Sequence, residues 1–314
     1  EAADANLLGT RLTREVVSLT LGGVTAQTYV GLRSLDAQIA VLENTIKLRR
    51  DSLEIARARA ASGLAPELDV YQAQGALSDA LVQRREAGRQ RALLERQLGQ
   101  LSGRLDLKLA GGDLFTLPVP PTPPAGLPSS LLERRPDIRA AEQTMIAANA
   151  QIGVARAARF PAVSLTAFLG GQSAAVEDIV SSGIWGLGLG ITAPLFDSGR
   201  RAAVEEQTAA RYQVTVASWQ RSVEGAFREV SDALVNLEET RNSEADLLAR
   251  VQAARNALEL SRIRYESGYS PYLEVLDAQR TANDAEIAFV RNRQARLAFS
   301  VDLMRALGGG WKPL

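Results

Sequence analysis

Apolar residues recur along the second half of the chain in alternating steps of four and three. Val223, Phe227, Val230, Leu234 and Leu237 keep that spacing, and Leu248, Val251 and Leu258 resume it. This is the period of helices packed as coiled coils. Residues 200 to 266 hold no proline and only Gly225, so the pattern predicts one helix of roughly 100 Å at 1.5 Å rise per residue. Ala-rich neighbours allow a second helix to pack close against it.

The period changes to two over residues 160 to 196. Val163, Leu165, Ala167 and Leu169 alternate with Ser164, Thr166, Phe168 and Gly170; Leu187, Leu189, Ile191 and Ala193 alternate with Gly186, Gly188, Gly190 and Thr192. Two antiparallel strands are predicted. Each run matches the roughly 9 to 11 residues with which a tilted strand crosses a bilayer, and the Gly- and hydroxyl-bearing face suits a wet lumen. Phe160, Trp185 and Phe196 stand near the run ends, where interfacial aromatics collect. A polar loop with Gln172, Ser173, Glu177 and Asp178 joins the runs. A soluble hairpin packed on the helices accounts for the same alternation. Two strands close no barrel, so a membrane role requires more strands, from the same chain or from other subunits.

The chain also repeats itself. Leu53, Glu54, Arg57, Arg59, Ser62, Gly63, Pro66, Leu68, Val70, Ala73, Gln74 and Asp79 return 205 residues later as Leu258, Glu259, Arg262, Arg264, Ser267, Gly268, Pro271, Leu273, Val275, Ala278, Gln279 and Asp284. Such a register reflects two similar halves. Each reads as a helical hairpin: a long helix, a turn in which Gly63 or Gly268 takes the left-handed conformation, and a second helix opened by Pro66 or Pro271 and ending near Gly103 or Gly308. Shifted back by 205, the strand pair falls just upstream of Glu1, so an earlier strand pair is expected to have preceded the sequence.

Composition narrows the chemistry. The 314 residues include no cysteine and no histidine, which removes thiol nucleophiles, disulfides, Ser-His-Asp arrangements and Cys/His zinc sites. Only three lysines are present, and the carboxylates are spread along helices. No enzyme, cofactor or metal site is expected. Gly188-Leu189-Gly190-Ile191-Thr192-Ala193 formally fits a dinucleotide-binding pattern, but Pro194 follows where a helix should start. With 36 basic against 36 acidic residues there is no footprint for nucleic acid, and no apolar run reaches the roughly 20 residues of a membrane helix. Charges do gather beyond the turns: Glu67 and Asp69 after the first, and Glu274, Asp277 and Arg280 after the second. The latter three share one helix face. Around a symmetry axis such a face would form charged rings, and Arg280 could tie Asp277 or a neighbour's acid.

Five motifs carry a resemblance. They are Leu132-Glu133-Arg134-Arg135-Pro136-Asp137-Ile138-Arg139-Ala140-Ala141-Glu142; Ile152-Gly153-Val154-Ala155-Arg156-Ala157-Ala158 running into Phe160-Pro161; Pro194-Leu195-Phe196-Asp197-Ser198-Gly199-Arg200; Tyr272-Leu273-Glu274-Val275-Leu276-Asp277-Ala278-Gln279-Arg280; and Ala306-Leu307-Gly308-Gly309-Gly310-Trp311. Together they resemble the TolC-type outer-membrane efflux proteins, most closely the OprM/NodT-like lipoprotein branch. The resemblance implies a mainly α fold with a β-hairpin, in which a homotrimer forms a twelve-stranded outer-membrane barrel continued by a long periplasmic α-helical barrel.

It also implies a passive multidrug-export duct in the outer membrane of a Gram-negative bacterium, served by a periplasmic adaptor (membrane fusion) protein and an inner-membrane pump of the RND type. A periplasmic aperture would be formed by Leu273, Asp277 and Arg280, with Asp69 and Glu274 nearby and Tyr265 in a related latch. Adaptor docking would fall on the turns Gly63-Leu64-Ala65-Pro66 and Gly268-Tyr269-Ser270-Pro271. The branch's lipidated cysteine, signal peptide and first strand pair are not in the sequence. The implied division is 1–103, first helical hairpin; 104–136, connector and equatorial segment; 137–159, periplasmic helix; 160–196, outer-membrane β-hairpin; 197–308, second helical hairpin; 309–314, tail. Two other readings stay open: a soluble periplasmic coiled-coil adaptor or scaffold, and a member of the same family that exports proteins or metal ions.

Overall fold

A computed structural model describes residues 1–120, 133–171 and 183–309. Leu132, the polar loop containing Gln172, Ser173, Glu177 and Asp178, and the Gly310-Trp311 end of the last motif lie outside them. The elements in chain order are α1 (Ala2–Ala61), α2 (Glu67–Leu101), a 3-10 turn (Leu114–Thr116), α3 (Pro136–Ala157), β1 (Ala162–Gly171), β2 (Gly183–Thr192), α4 (Arg200–Glu266) and α5 (Tyr272–Ala306). They group into two compact units, one of residues 1–15 and 136–225, the other of 16–135 and 226–314.

The 205-residue repeat is expressed residue for residue in the second unit. α2 and α5 each have 35 residues and begin and end 205 apart. Gly63 and Gly268 have φ of 70° and 81°, and Gly103 and Gly308 of 70° and 85°. At the first turn Leu64 N–H bonds Arg59 O at 2.8 Å and Gly63 N–H bonds Ala60 O at 3.0 Å; at the second, Tyr269 reaches Arg264 and Gly268 reaches Tyr265 at the same distances. These are the paired bonds of a glycine-closed helix end, which satisfy carbonyls the helix would otherwise leave bare. Pro66 and Pro271 sit one step earlier than their sequence position implied. They are the extended N-cap residues of α2 and α5, where a ring without N–H also costs nothing.

The seam between α4 and α5 is chosen by small residues. Ala226, Val230, Ala233, Leu237, Val251, Ala254, Ser261 and Tyr265 are the buried positions of α4, half of them small, and the alanines let the backbones close in. Phe227 and Leu248 belong to the expected apolar stripe but stand 46% and 56% exposed. The helix is rotated to present alanine rather than its bulkiest side chains. Val230, Ala233 and Leu237 pack on Leu303, Ala306 and Leu307, while Val251 and Ala254 pack on Ala282 and Ala285. Between these patches the contact is polar, with an Arg296–Glu244 ion pair and Asn292 Nδ2 donating to Thr240 O at 3.0 Å.

The connector is strapped to α1 and α2 by buried charge. Asp36 accepts from Arg91 Nε at 2.6 Å and Arg33 Nη1 at 2.9 Å, and Gly112 N–H adds a third bond at 3.1 Å. Glu95 accepts from Leu109 N–H at 2.7 Å. Leu114 is wholly buried against Val30, Val290 and Leu297. Nearby, Arg135 donates to Ala306 O at 3.0 Å and pairs with Glu229 at 2.9 Å.

In the first unit β1 and β2 form a two-stranded antiparallel sheet. Its register places Val163 opposite Ile191, Leu165 opposite Leu189, Ala167 opposite Leu187 and Leu169 opposite Trp185, and sets Ser164, Thr166 and Phe168 opposite Gly190, Gly188 and Gly186. One face is therefore apolar throughout and the other small or polar, apart from Phe168, whose ring lies over Gly186, and Ile184. Both strands are exposed along nearly their whole length. Beyond β2 the chain swings into α4 through left-handed Ser198 and Gly199, with Asp197 accepting from the N–H groups of Gly199 and Arg201 at 3.1 and 3.2 Å. The Gly188–Ala193 run thus lies in β2 and its exit, away from any helix start.

The two kinds of closing glycine should differ in tolerance. At Gly63 a methyl group meets nothing within 4 Å, whereas at Gly308 it stands 3.1 Å from Arg134 O. Gly63→Ala is expected to cost about 1 kcal/mol for its left-handed backbone alone, and Gly308→Ala about 2–3 kcal/mol because backbone must also move. Thermal unfolding followed by circular dichroism ranks the two; equal losses would contradict the packing at Gly308.

Candidate functional site at the helical turns

The residues singled out past the turns divide into a buried group and an exposed one. Asp69, in the first turn of α2, and Tyr265, near the end of α4, are 8% and 4% exposed. Tyr265 OH donates to Asp69 Oδ2 at 3.1 Å, so the bond joins the first helical hairpin to the second. Arg59 lies over the Tyr265 ring, its guanidinium 4.9 Å from the centroid, and donates to Glu266 O at 2.7 Å. A cation over an aromatic face is attracted by the ring quadrupole.

The exposed group lines one face of α5. Leu273 is 60% exposed, and Arg280 Nη2 donates to Asp277 Oδ1 at 2.8 Å with both side chains open to solvent. Glu274 stands 3.7 Å from Arg264, again at the surface. Isolated surface pairs of this kind contribute little to stability. The turns themselves are open as well: Leu64 is 69% and Tyr269 80% exposed. The chain thus brings Asp69 and Tyr265 together and pairs Asp277 with Arg280, while Leu273 stands apart from any apolar neighbour cluster.

Several residues at this site gave no separate signal in the sequence. Tyr272 is 1% exposed, packs edge-on to Tyr265 with centroids 5.3 Å apart, and has a buried hydroxyl without a hydrogen-bond partner among the described residues. Leu53, Ala56, Ala73 and Val275 complete the apolar cluster around the two rings. Beneath it Arg49 is buried and donates to Ala76 O; burial pushes its guanidinium down, with Asp79 and Asp284 acting against that. Gln279 Nε2 donates to Ser52 Oγ at 2.8 Å and Thr45 Oγ1 to Asn283 Oδ1 at 3.1 Å, so a polar ladder ties α1 to α5. The repeat held a clue: Tyr265 and Tyr272 occupy the positions of Ala60 and Glu67 in the first half. Aromatics replace a small and a charged residue where one hairpin reaches the other.

Electrostatics follow from burial. Loss of solvent, then the bond to Asp69, pushes the Tyr265 hydroxyl up to about 12, and burial does the same for Tyr272. Both stay neutral at any physiological pH, and Tyr265 therefore remains a donor. Because the folded state resists ionisation, this contribution is whole below the ordinary tyrosine value of about 10 and is lost as pH rises through about 12. Tyr265→Phe should cost about 1–2 kcal/mol, since Asp69 loses its buried donor. The phenolate absorbance that distinguishes wild type from this variant should appear near pH 12; a difference that titrates near 10 would show the hydroxyl to be solvated.

Comparison with known proteins places this arrangement. The sequence matches the family described as Outer membrane efflux protein over residues 1–104 and 127–309. It is 36% identical to outer membrane protein OprJ of Pseudomonas aeruginosa, across 99% of this chain and 66% of that protein. The chain spans just under two thirds of the length of the curated relatives it matches. Among solved structures it superposes on a membrane protein from Pseudomonas aeruginosa with a TM-score of 0.89 at 35% identity, covering 99% of this chain and 70% of that one. It also superposes on the open state of the Neisseria gonorrhoeae MtrE outer membrane channel with a TM-score of 0.84 at 29% identity, covering 98% and 70%. The helical hairpins, the strand pair and their turns are those of a TolC-like fold, and the chain belongs to the outer membrane efflux protein family.

Proposed function

We propose that the complete protein is the outer-membrane channel of a tripartite efflux system: a homotrimer whose strands form a closed barrel in the outer membrane and whose helices form a periplasmic tunnel. Small molecules enter from a periplasmic adaptor and an inner-membrane pump of the RND type and leave through the barrel. One observation carries this reading. β1 and β2 hold an apolar face in the open, which water tolerates poorly and lipid accommodates, and among the described residues their outer edges are left to pair with the further strands that would close a barrel. An adaptor would need several further short strands; among the described residues there are only these two. The six-part division set out from the sequence is retained as the domain plan.

In this reading the duct carries out no chemical step, and gating is a shear of packed helices driven by an adaptor that binds the open state more tightly. The exposed face of Leu273, Glu274, Asp277 and Arg280 is the aperture lining. Its Asp277–Arg280 pair is solvent-accessible, so Arg280 is free to exchange that partner for an acid of a neighbouring subunit. The buried Tyr265–Asp69 bond is the latch that holds the second hairpin against the first. The turns around Gly63-Leu64-Ala65-Pro66 and Gly268-Tyr269-Ser270-Pro271 are the adaptor's seats, where Leu64 and Tyr269 offer apolar knobs.

Conductance of the complete protein in a planar bilayer tests the aperture. Asp277→Ala and Arg280→Ala should each raise the conductance of the resting channel severalfold, and the double variant should add little to either single, because both changes break one contact. Unchanged conductance in all three would remove the aperture assignment. Failure of the complete protein to insert into a bilayer would remove the channel itself.

A further inference from the structure

The helix-side end of the sheet carries a charge cluster that the channel reading does not use. α3 carries Arg156 in its last turn and is followed by Arg159, while α4 begins with Arg200 and Arg201. Arg156 Nε and Arg159 Nη1 both donate to Glu205, at 3.1 and 2.9 Å. Arg201 stands 3.6 Å from Asp197. Two cations on one carboxylate leave positive charge in excess, and each arginine spends only one nitrogen on Glu205. Their side chains remain 66% and 53% exposed, while Glu205 is 18% exposed. The bonds from Arg159 and then Arg156 hold the Glu205 carboxyl below the usual range, so its charge is fixed and already matched. Arg200 is exposed and makes no side-chain bond among the described residues. At this end of the sheet Arg156, Arg159, Arg200 and Arg201 stand against Asp197, Glu205 and Glu206, a balance of one net positive charge.

Apolar residues without neighbours stand at the same level. Phe160 is 65%, Leu195 96% and Phe196 89% exposed, just outside the first and last paired residues of the sheet, Ala162 and Thr192. Together they form an apolar rim next to the arginines in the chain: Phe160 follows Arg159 directly, and Phe196 precedes Arg200 by four residues. Planar guanidinium groups bind phosphate oxygens two at a time, and aromatics prefer the headgroup level of a bilayer.

We infer that Arg156, Arg159 and Arg200, next to the rim of Phe160, Leu195 and Phe196, form a binding site for the phosphodiester of an anionic glycerophospholipid in the leaflet nearest the helices. This rests on the reading of β1 and β2 as membrane-spanning. The acyl chains would lie along the apolar face that includes Val163, Leu165, Leu189 and Ile191, and the phosphate would take the guanidinium nitrogens that Glu205 leaves unused. Glu205 sets the strength of the site by holding two arginines in place while cancelling one charge.

The test is native mass spectrometry of the complete protein, purified in detergent and offered phosphatidylglycerol or phosphatidylethanolamine. Wild type should retain phosphatidylglycerol in preference by about fivefold or more, the worth of one basic residue at an anionic surface. Arg156→Gln with Arg159→Gln should abolish the preference, and Arg221→Gln, elsewhere on α4, should leave it unchanged. Glu205→Gln should strengthen it, a gain that a merely misfolded variant cannot produce. Equal retention of the two lipids by wild type, or a preference that survives the double substitution, would overturn the site while leaving the channel intact. A protein that enters no bilayer at all would overturn both.

Discussion

A two-stranded sheet has two edges of unpaired N–H and C=O groups, and this one carries its apolar side chains in full exposure. In water both features are costly: an unpaired edge invites pairing with any other strand, and a ladder of Leu, Ile, Val and Trp side chains remains hydrated. β1 and β2 rest on no helix face, since their exposure extends over nearly every residue. A two-stranded sheet of this kind is at best marginally stable alone, and in the proposed channel strands beside it and hydrocarbon against it would supply the rest. The remaining architecture is consistent with that arrangement. α3 and α4 enter and leave the sheet at one end, where a left-handed Ser-Gly step and an aspartate cap fix the change from strand to helix.

The helical part obeys a different logic, in which duplication supplies the frame and divergence supplies the site. Turn geometry, the lengths of α2 and α5 and both pairs of left-handed glycines recur at one offset. Backbone closure depends on glycine at those positions and on little else, so it survives sequence drift. The contact between the hairpins is where the halves differ. Tyr265 stands for Ala60, Tyr272 for Glu67, and Arg49 has Ala254 as its counterpart. Asp69 is buried under Tyr265, whereas Glu274, its counterpart, faces solvent. Equivalent positions such as Leu98 and Leu303, or Ala80 and Ala285, are buried in both halves; the divergence is confined to the surface where one hairpin meets the other.

Features set by local chemistry were legible in the sequence. The proline-free span from 200 to 266 is the helix α4, the period-two runs are β1 and β2, and the Ser-Gly-x-x-Pro segments are the turns. Those depend on backbone rules that act within a few residues. What was not legible depends on which side of a helix meets a neighbour. Phe227 and Leu248 fit the apolar spacing, yet they stay outside because Ala226, Ala233 and Ala254 allow a closer approach on the adjacent stripe. The burial of Tyr272 and Arg49 likewise depends on residues more than 190 positions away from Tyr272 and more than 20 away from Arg49. Of the candidate site, the pairing of Asp277 with Arg280 follows from helical spacing, while the bond from Tyr265 to Asp69 needed the two hairpins placed side by side.

The two turns share their main-chain path but not their chemistry: Leu64 and Ala65 in one correspond to Tyr269 and Ser270 in the other. A binding partner that grips by main-chain shape would find them interchangeable, while one that reads side chains would find two unlike footholds. Assembled around an axis, such a chain offers an alternating ring of sockets. In the proposed assembly identical guests in neighbouring places would then be gripped unequally.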